Sequence, residues 1–322
     1  MEGYTEFTEE LKKKVAEKMG EGYDTEIHLV AKANMGVVDA LAIFHKDGKN
    51  IASPNFYLLP LFREYREGRE LEEIAGSIAT VYHAQAADME ELVGNLGDIT
   101  EYESIKDRIY FRLLCTERNG AFLKNVLHFE VLDLSMVIYI LVRENEDGMG
   151  SVPVQNRLLE SWGIPAETVK EQAGKNTPLL LPAKVLPLAS VMAGLLKQAG
   201  TGGNAVEMQA AVESGLDKAG EPFIMTNRKG INGFSTVLYP EALKDFADSA
   251  GKDLYVLPSS VHEGILFPAD AAMTPQDLRE MVREVNETAV EETDILSDTV
   301  YYYDRKKNEL RIAGEEGKCV RL

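Results

Sequence analysis

Only two cysteines, Cys115 and Cys319, occur in 322 residues, too few for a disulfide framework. Basic residues are also short, with 34 Lys and Arg against 53 Asp and Glu, a formal charge of -19. Binding a phosphate backbone or anionic lipid needs cations that displace counterions, so no nucleic acid and no membrane is expected as a partner. No apolar run approaches the roughly 20 residues that span a bilayer. The first 20 residues are charged throughout, unlike a secretory leader, and a reducing cytoplasm is the expected setting.

Metal and phosphate motifs are missing as well. The five histidines, His28, His45, His83, His128 and His262, show no HxxxH or HxH spacing. His128, Glu130 and the nearby Asp133 are the one local group with ligand chemistry, and a strand edge accounts for them equally well. Gly200-Thr201-Gly202-Gly203 lacks the dinucleotide spacing, and Gly314-Glu315-Glu316-Gly317-Lys318 lacks the Walker spacing. No cofactor and no metal is expected.

What the chain does have is a foldable composition, 45% hydrophobic, at a length that suggests two or three domains. Phe7, Leu11 and Val15 mark a first helix, and Glu26–Ala31 with Val37–His45 read as a hairpin about Asn34-Met35-Gly36. Leu71, Ile74, Ala75, Ile78, Val81 and Tyr82 form a helical stripe. This unit, residues 1–100, reads as helix, hairpin, helix.

For residues 101–199 the spacing of Ile105, Ile109 and Leu113 predicts a helix over 104–117, stopped at Asn119-Gly120. A buried strand over 132–142 follows, then a strand at 151–154 and helices at 157–162 and 166–174. Asn176-Thr177-Pro178 and Pro182 break the pattern before a helix at 186–198.

The glycines at 200–203 are the best linker, opening a third unit, 200–322. There Phe223–Thr226 and Phe234–Leu238 read as a hairpin about Lys229-Gly230, followed by a helix with Pro240 first. The pattern recurs with Leu254–Leu257, Ile265–Phe267 and a helix capped by Thr274-Pro275, with Asp277 in its first turn. That helix should bury Leu278, Met281, Val282 and Val285. A hairpin of 299–303 and 309–312 closes the fold. Repeated hairpin and helix units imply an α+β fold, antiparallel sheets with helices packed on one face.

The densest group of reactive side chains is Ser259, Ser260, His262 and Glu263, between the apolar runs 254–257 and 265–267. A Ser–His pair needs the ring nitrogen within hydrogen-bond reach of the hydroxyl. Residues two apart on a strand stand about 7 Å apart, so local backbone capping competes with catalysis here. Asp39 interrupts an apolar strand and must be hydrogen-bonded or at an edge, because an unpaired buried charge is costly. Tyr301-Tyr302-Tyr303 alternates between faces, which makes Tyr301 and Tyr303 candidate binding residues with one face left for a partner. Cys115, beside Leu113 and Leu114, reads as a core thiol.

The chain resembles, over nearly its full length, a domain-of-unknown-function family of Gram-positive gut anaerobes. The matching stretches are Leu132-Asp133-Leu134, Asn176-Thr177-Pro178 with Pro182, Tyr255, and Leu257 through Glu263. Arg283-Glu284-Val285-Asn286, Leu296-Ser297-Asp298, Val300-Tyr301 and Tyr303 complete them. Departures are Val38-Asp39-Ala40 for a Leu-Asp-Gly pattern, Gly264 for an aliphatic residue, and an extra residue in Ile51-Ala52-Ser53-Pro54. The resemblance implies no reaction. The expected function is a non-enzymatic protein-binding or regulatory role through an acidic surface. Alternatives are a hydrolase or transferase at the His262 turn, and a nucleic-acid mimic. The oligomeric state is left open.

Overall fold

The computed structural model describes residues 3–46, 55–96, 99–145, 148–192, 222–269, 273–315 and 317–322. The glycines at 200–203 and the stretch 51–54 lie outside the described residues. The chain divides into two compact units, Met1–Ile105 and Lys106–Leu322, and the fold is α+β with antiparallel sheets throughout.

The first unit packs α1 (Tyr4–Met19), α2 (Leu58–Arg66) and α3 (Leu71–Leu96) with a sheet of β1 (Tyr23–Lys32), β2 (Gly36–His45) and β3 (Phe56–Tyr57). A short helix, α4 (Tyr102–Ile105), ends this unit. On α1, Phe7, Leu11, Val15 and Met19 repeat every four residues and are buried. They meet Leu41 and Ile43 of β2 and the Ile74, Ala75, Ile78, Tyr82 stripe of α3. Leu11 is fully buried. Truncating it to Ala would cost about 2–5 kcal/mol in lost transfer energy and cavity.

The second unit contains two sheets. The smaller one has β4 (Ile109–Cys115), β5 (His128–Val131), β6 (Leu134–Asn145) and β7 (Gly148–Pro153), with the short helix α5 (Gly120–Leu123) between β4 and β5. The helix expected over 104–117 is therefore a strand, β4. Its Ile-Tyr-Phe-Arg-Leu-Leu-Cys run is apolar on both faces, so a spacing of four carries no helical information there, and pairing with β6 decides. Cys115 remains a buried thiol, at the end of a strand.

After α6 (Asn156–Trp162), α7 (Ala166–Leu180) continues through Asn176-Thr177-Pro178, where a break was expected. The reason is on β4 and the turn before it, where the outer edge has no strand beside it among the described residues. The Phe111 N–H donates to Thr177 Oγ1 (3.1 Å), and Asn176 Nδ2 donates to the carbonyls of Lys106 (2.7 Å) and Ile109 (2.8 Å). Farther along, the Leu113 N–H donates to Ser235 Oγ (3.1 Å). Side chains thus seal an edge that would otherwise recruit another strand.

The larger sheet runs β14-β13-β12-β10-β11-β9-β8. Its strands are β8 (Ala183–Pro187), β9 (Phe223–Asn227), β10 (Leu254–Pro258), β11 (Gly264–Pro268), β12 (Tyr301–Asp304), β13 (Glu309–Ile312) and β14 (Cys319–Arg321). Of the helix expected at 186–198, Leu186 and Pro187 end strand β8, residues 188–192 are helical, and residues 193–198 lie outside the described residues. Phe234–Leu238 is not a strand but part of a 3₁₀ turn, Gly233–Leu238. Hence no hairpin with β9 forms there. A Cβ on Gly233 would fall 2.1 Å from Thr226 Oγ1 and 2.3 Å from the His262 carbonyl, so this backbone can turn tightly only as glycine.

The next helix, α8 (Ala242–Ala250), starts two residues after Pro240 and ends at the left-handed Gly251. The last, α9 (Pro275–Thr288), has the expected capping box between Thr274 and Asp277. Alternate residues of β10 serve two cores. Leu254 and Val256 join Leu243 and Ala247 of α8, while Leu257 joins Leu278 and Val282 of α9. The two helices therefore cover opposite faces of this sheet. Among the described residues, no helix is long and apolar enough to cross a membrane.

Candidate functional site

The β10–β11 connection, residues 259–263, is a turn fastened on every side. The Ser259 and Ser260 N–H groups both donate to the Glu263 carbonyl at 3.2 Å. Ser260 Oγ accepts from the His262 N–H at 3.0 Å. Val261 N–H reaches the Asp294 carbonyl (2.8 Å), and the His262 carbonyl accepts from Thr226 Oγ1 (2.8 Å). The turn is braced by three other segments.

The His262 ring is equally committed. Its Nδ1 accepts from the Asn232 N–H at 3.2 Å, so the proton of the neutral ring sits on Nε2. Nε2 faces the Asp294 carboxylate 3.6 Å away. Asn232 can aim its N–H this way because it occupies the left-handed region (φ 52°), which asparagine tolerates. Neither serine hydroxyl is hydrogen-bonded to the imidazole, and the Ser260 oxygen is spent on backbone. Burial raises the Glu263 carboxyl above its usual range, opposed by His262 only when that ring is protonated. The four residues share one turn; the hydrogen bonds they make are those of a scaffold.

A second constellation was not anticipated from the sequence. Asp133 Oδ1 accepts from Tyr301 OH (2.8 Å) and Oδ2 from Ser297 Oγ (2.6 Å). Asn286 Nδ2 donates to the Ser297 carbonyl (3.1 Å) and to Asp298 Oδ1 (2.7 Å). Burial first, then the Asp133 carboxylate, drives the Tyr301 hydroxyl well above its usual pKa. Asp133 is delivered by a two-residue turn between β5 and β6 in which Leu132 adopts φ 58°. Such a backbone is strained for a bulky residue, and Leu132 is held there by burial in the core. Leu132-Asp133, Asn286, Ser297-Asp298 and Tyr301 all belong to the stretches behind the family resemblance. In space they are one network.

The two constellations are joined. Phe234, beside the His262 turn, packs against the Tyr301 ring at 6.0 Å. A Cβ on Gly264 would come within 2.9 Å of the Phe234 ring, which gives a physical reason for glycine there.

The tyrosines of β12 divide as alternation requires. Tyr301 and Tyr303 are buried, and Tyr303 OH donates to Asn308 Oδ1 (2.6 Å). Tyr302 is the one left half-exposed, with its hydroxyl on Asp253 Oδ2 (2.7 Å) and Arg311 over its ring. Burial and Asp253 push the Tyr302 hydroxyl up to about 12. A partner on this strand would meet Tyr302, not Tyr301 or Tyr303. In the first unit, Asp39 Oδ2 accepts from Tyr4 OH at 3.0 Å, the partner its position demanded. Burial, helped by Asp39, pushes the Tyr4 hydroxyl up to about 12.

His128, Glu130 and Asp133 go separate ways. His128 Nδ1 pairs with the Val126 carbonyl, Glu130 with Lys318, and Asp133 with Ser297 and Tyr301. Among the described residues, no cluster of three or more His, Cys, Asp or Glu could hold a metal ion.

No curated protein matches this chain significantly, and no solved structure does. The family model that matches residues 4–305 places it: the chain belongs to the "Family of unknown function (DUF5688)".

Proposed function

We propose that this protein is a non-enzymatic binding or regulatory protein of the reducing cytoplasm that docks a basic protein segment on the outer face of α9. The observation that carries this reading is the composition of that face. Of the stripe expected to be buried, Leu278, Met281, Val282 and Val285, the structure buries Leu278 and Val282, with Asn286 beside them, and leaves Met281 (37% exposed) and Val285 (38% exposed) outside. These two aliphatic side chains, one helical turn apart, lie among the exposed carboxylates Glu280, Glu284 and Glu287. Glu291 and Glu292 extend the acidic surface past the helix end, and Arg283 is the one base within 280–298. Apolar anchors ringed by one sign of charge suit a partner carrying Lys or Arg around apolar residues. The imidazole of His262, with Nδ1 taken by the Asn232 N–H and neither serine hydroxyl bonded to the ring, argues against the hydrolase alternative.

The test is affinity capture with the full chain, comparing wild type with E284K/E287K at low salt and at about 0.5 M salt, where surface charge is screened. The expected result is a defined set of basic proteins retained by wild type at low salt, released by salt, and absent from the variant. Identical recoveries from both proteins, or none from either, would overturn the reading.

A further inference from the structure

From the edge of the first unit's sheet we infer that two copies of this chain pair through β1, antiparallel, about a two-fold axis at His28. The inference is independent of the α9 reading. β1 is a ten-residue strand at the end of the order β1-β2-β3, and among the described residues nothing pairs with its other side. An uncovered edge of that length is a template for strand addition unless its side chains forbid it. Here they favour it, and they favour the same strand reversed.

Directly opposed residues in an antiparallel pair share a face, so a two-fold axis must pass through a residue position. Centred on His28, the pairing places Asp24 opposite Lys32 of the second copy and Lys32 opposite its Asp24. Glu26 then faces Val30, Thr25 faces Ala31, and Ile27 faces Leu29. No like charges oppose each other, whereas centring on Glu26 would set two carboxylates face to face. The charges that could guard this edge become its complement.

The apolar surface points the same way. Leu29 is 70% exposed, although it shares the face on which Ile27 meets the helices. Val37, on the neighbouring strand, is 55% exposed on that face, two residues from Asp39, which pairs with Leu29. A second copy would bring its Ile27 against Leu29. Asp24 is 3.5 Å from Lys46 within its own chain, and both side chains are at least half exposed, so Asp24 can also reach across. Lys32 Nζ lies over the Tyr57 ring of β3 (3.7 Å to its centre), across β2 from the open edge, so pairing with Asp24 of the second copy requires it to swing off that ring. The product is a continuous six-stranded antiparallel sheet.

Sedimentation of the full chain tests it, with site-specific crosslinking to read the register. Wild type is expected to sediment as a dimer and L29K as a monomer with an unchanged far-UV spectrum, since Leu29 contributes little to the core. In a C319S background, H28C should oxidise to a covalent dimer, because opposed Cβ atoms stand about 5 Å apart. E26C should not, its counterpart being four residues away along the strand. A monomeric wild type throughout the micromolar range, an L29K dimer, or E26C crosslinking as readily as H28C would each overturn the inference.

Discussion

Asp133 and Tyr301, 168 positions apart in the sequence, share a hydrogen bond of 2.8 Å across the interior of the second unit. Ser297 occupies the other carboxylate oxygen, so one half-buried acid ties the β5–β6 turn to the strand entering β12. Removing the acid leaves two hydroxyl donors without their acceptor. D133A should therefore destabilise the second unit by about 2–4 kcal/mol. Y301F, which removes one donor and keeps the ring against Phe234, should cost about 1 kcal/mol. Denaturant unfolding of both variants checks the order. Equal losses would mean that ring packing, not the carboxylate, holds this junction.

The sealed edge of β4 makes a sharper contrast. T177V keeps the shape of the side chain and deletes the oxygen that accepts from the buried Phe111 N–H. The orphaned donor should cost about 1–3 kcal/mol, while T177S should restore most of it. Hydrogen exchange at the Phe111 amide gives a local reading, with T177V expected to accelerate it and T177S to leave it near wild type.

Glu263 supplies the pH dependence. Its carboxyl is raised by burial, so the folded state binds the proton more tightly than the unfolded chain. Between the ordinary glutamate value and the raised one, the folded state holds more protons, and stability therefore falls as pH rises through that window. E263Q removes the charge. It should raise Tm at neutral pH, and its advantage should vanish below the usual carboxylate range. A Tm difference independent of pH would show that desolvation of the acid is not the cause.

The elements with one clear period were legible in the sequence: α1, the β1–β2 hairpin, the first half of α3, the β10–β11 hairpin and the capped start of α9. Each carries a local signal, either a stripe, a turn pair or a capping box. β4 was not legible, because an apolar run buried on both faces fits a helix and a strand alike. Asn176-Thr177-Pro178 looked like a breaker because its hydrogen-bond partners, on β4 and in the turn before it, lie 66 to 70 residues upstream. Phe234–Leu238 failed for a similar reason. Its conformation is imposed by the close approach of Gly233 to Thr226 and the His262 carbonyl, contacts no local pattern announces.

The candidate site was half visible. The turn at His262 was recognisable as a polar cluster between strands, and its own serine caps follow from residue type. The bonds that decide its role come from the Asn232 N–H to the ring and the Asp294 carbonyl to the Val261 N–H, each about 30 residues away in the chain. The Asp133 network offered no spacing at all. Its members became neighbours only through the pairing of β5 with β6 and the return of the chain after α9.

The role of the 259–263 turn depends on whether the His262 ring is part of the scaffold. Its imidazole ¹⁵N shifts in the full chain measure this directly. The expected result is a neutral ring protonated on Nε2, with Nδ1 shifted as an acceptor from the Asn232 amide. A neutral ring carrying its proton on Nδ1 would contradict that assignment, free Nε2 to act as a base, and return the turn to the chemistry set aside for it.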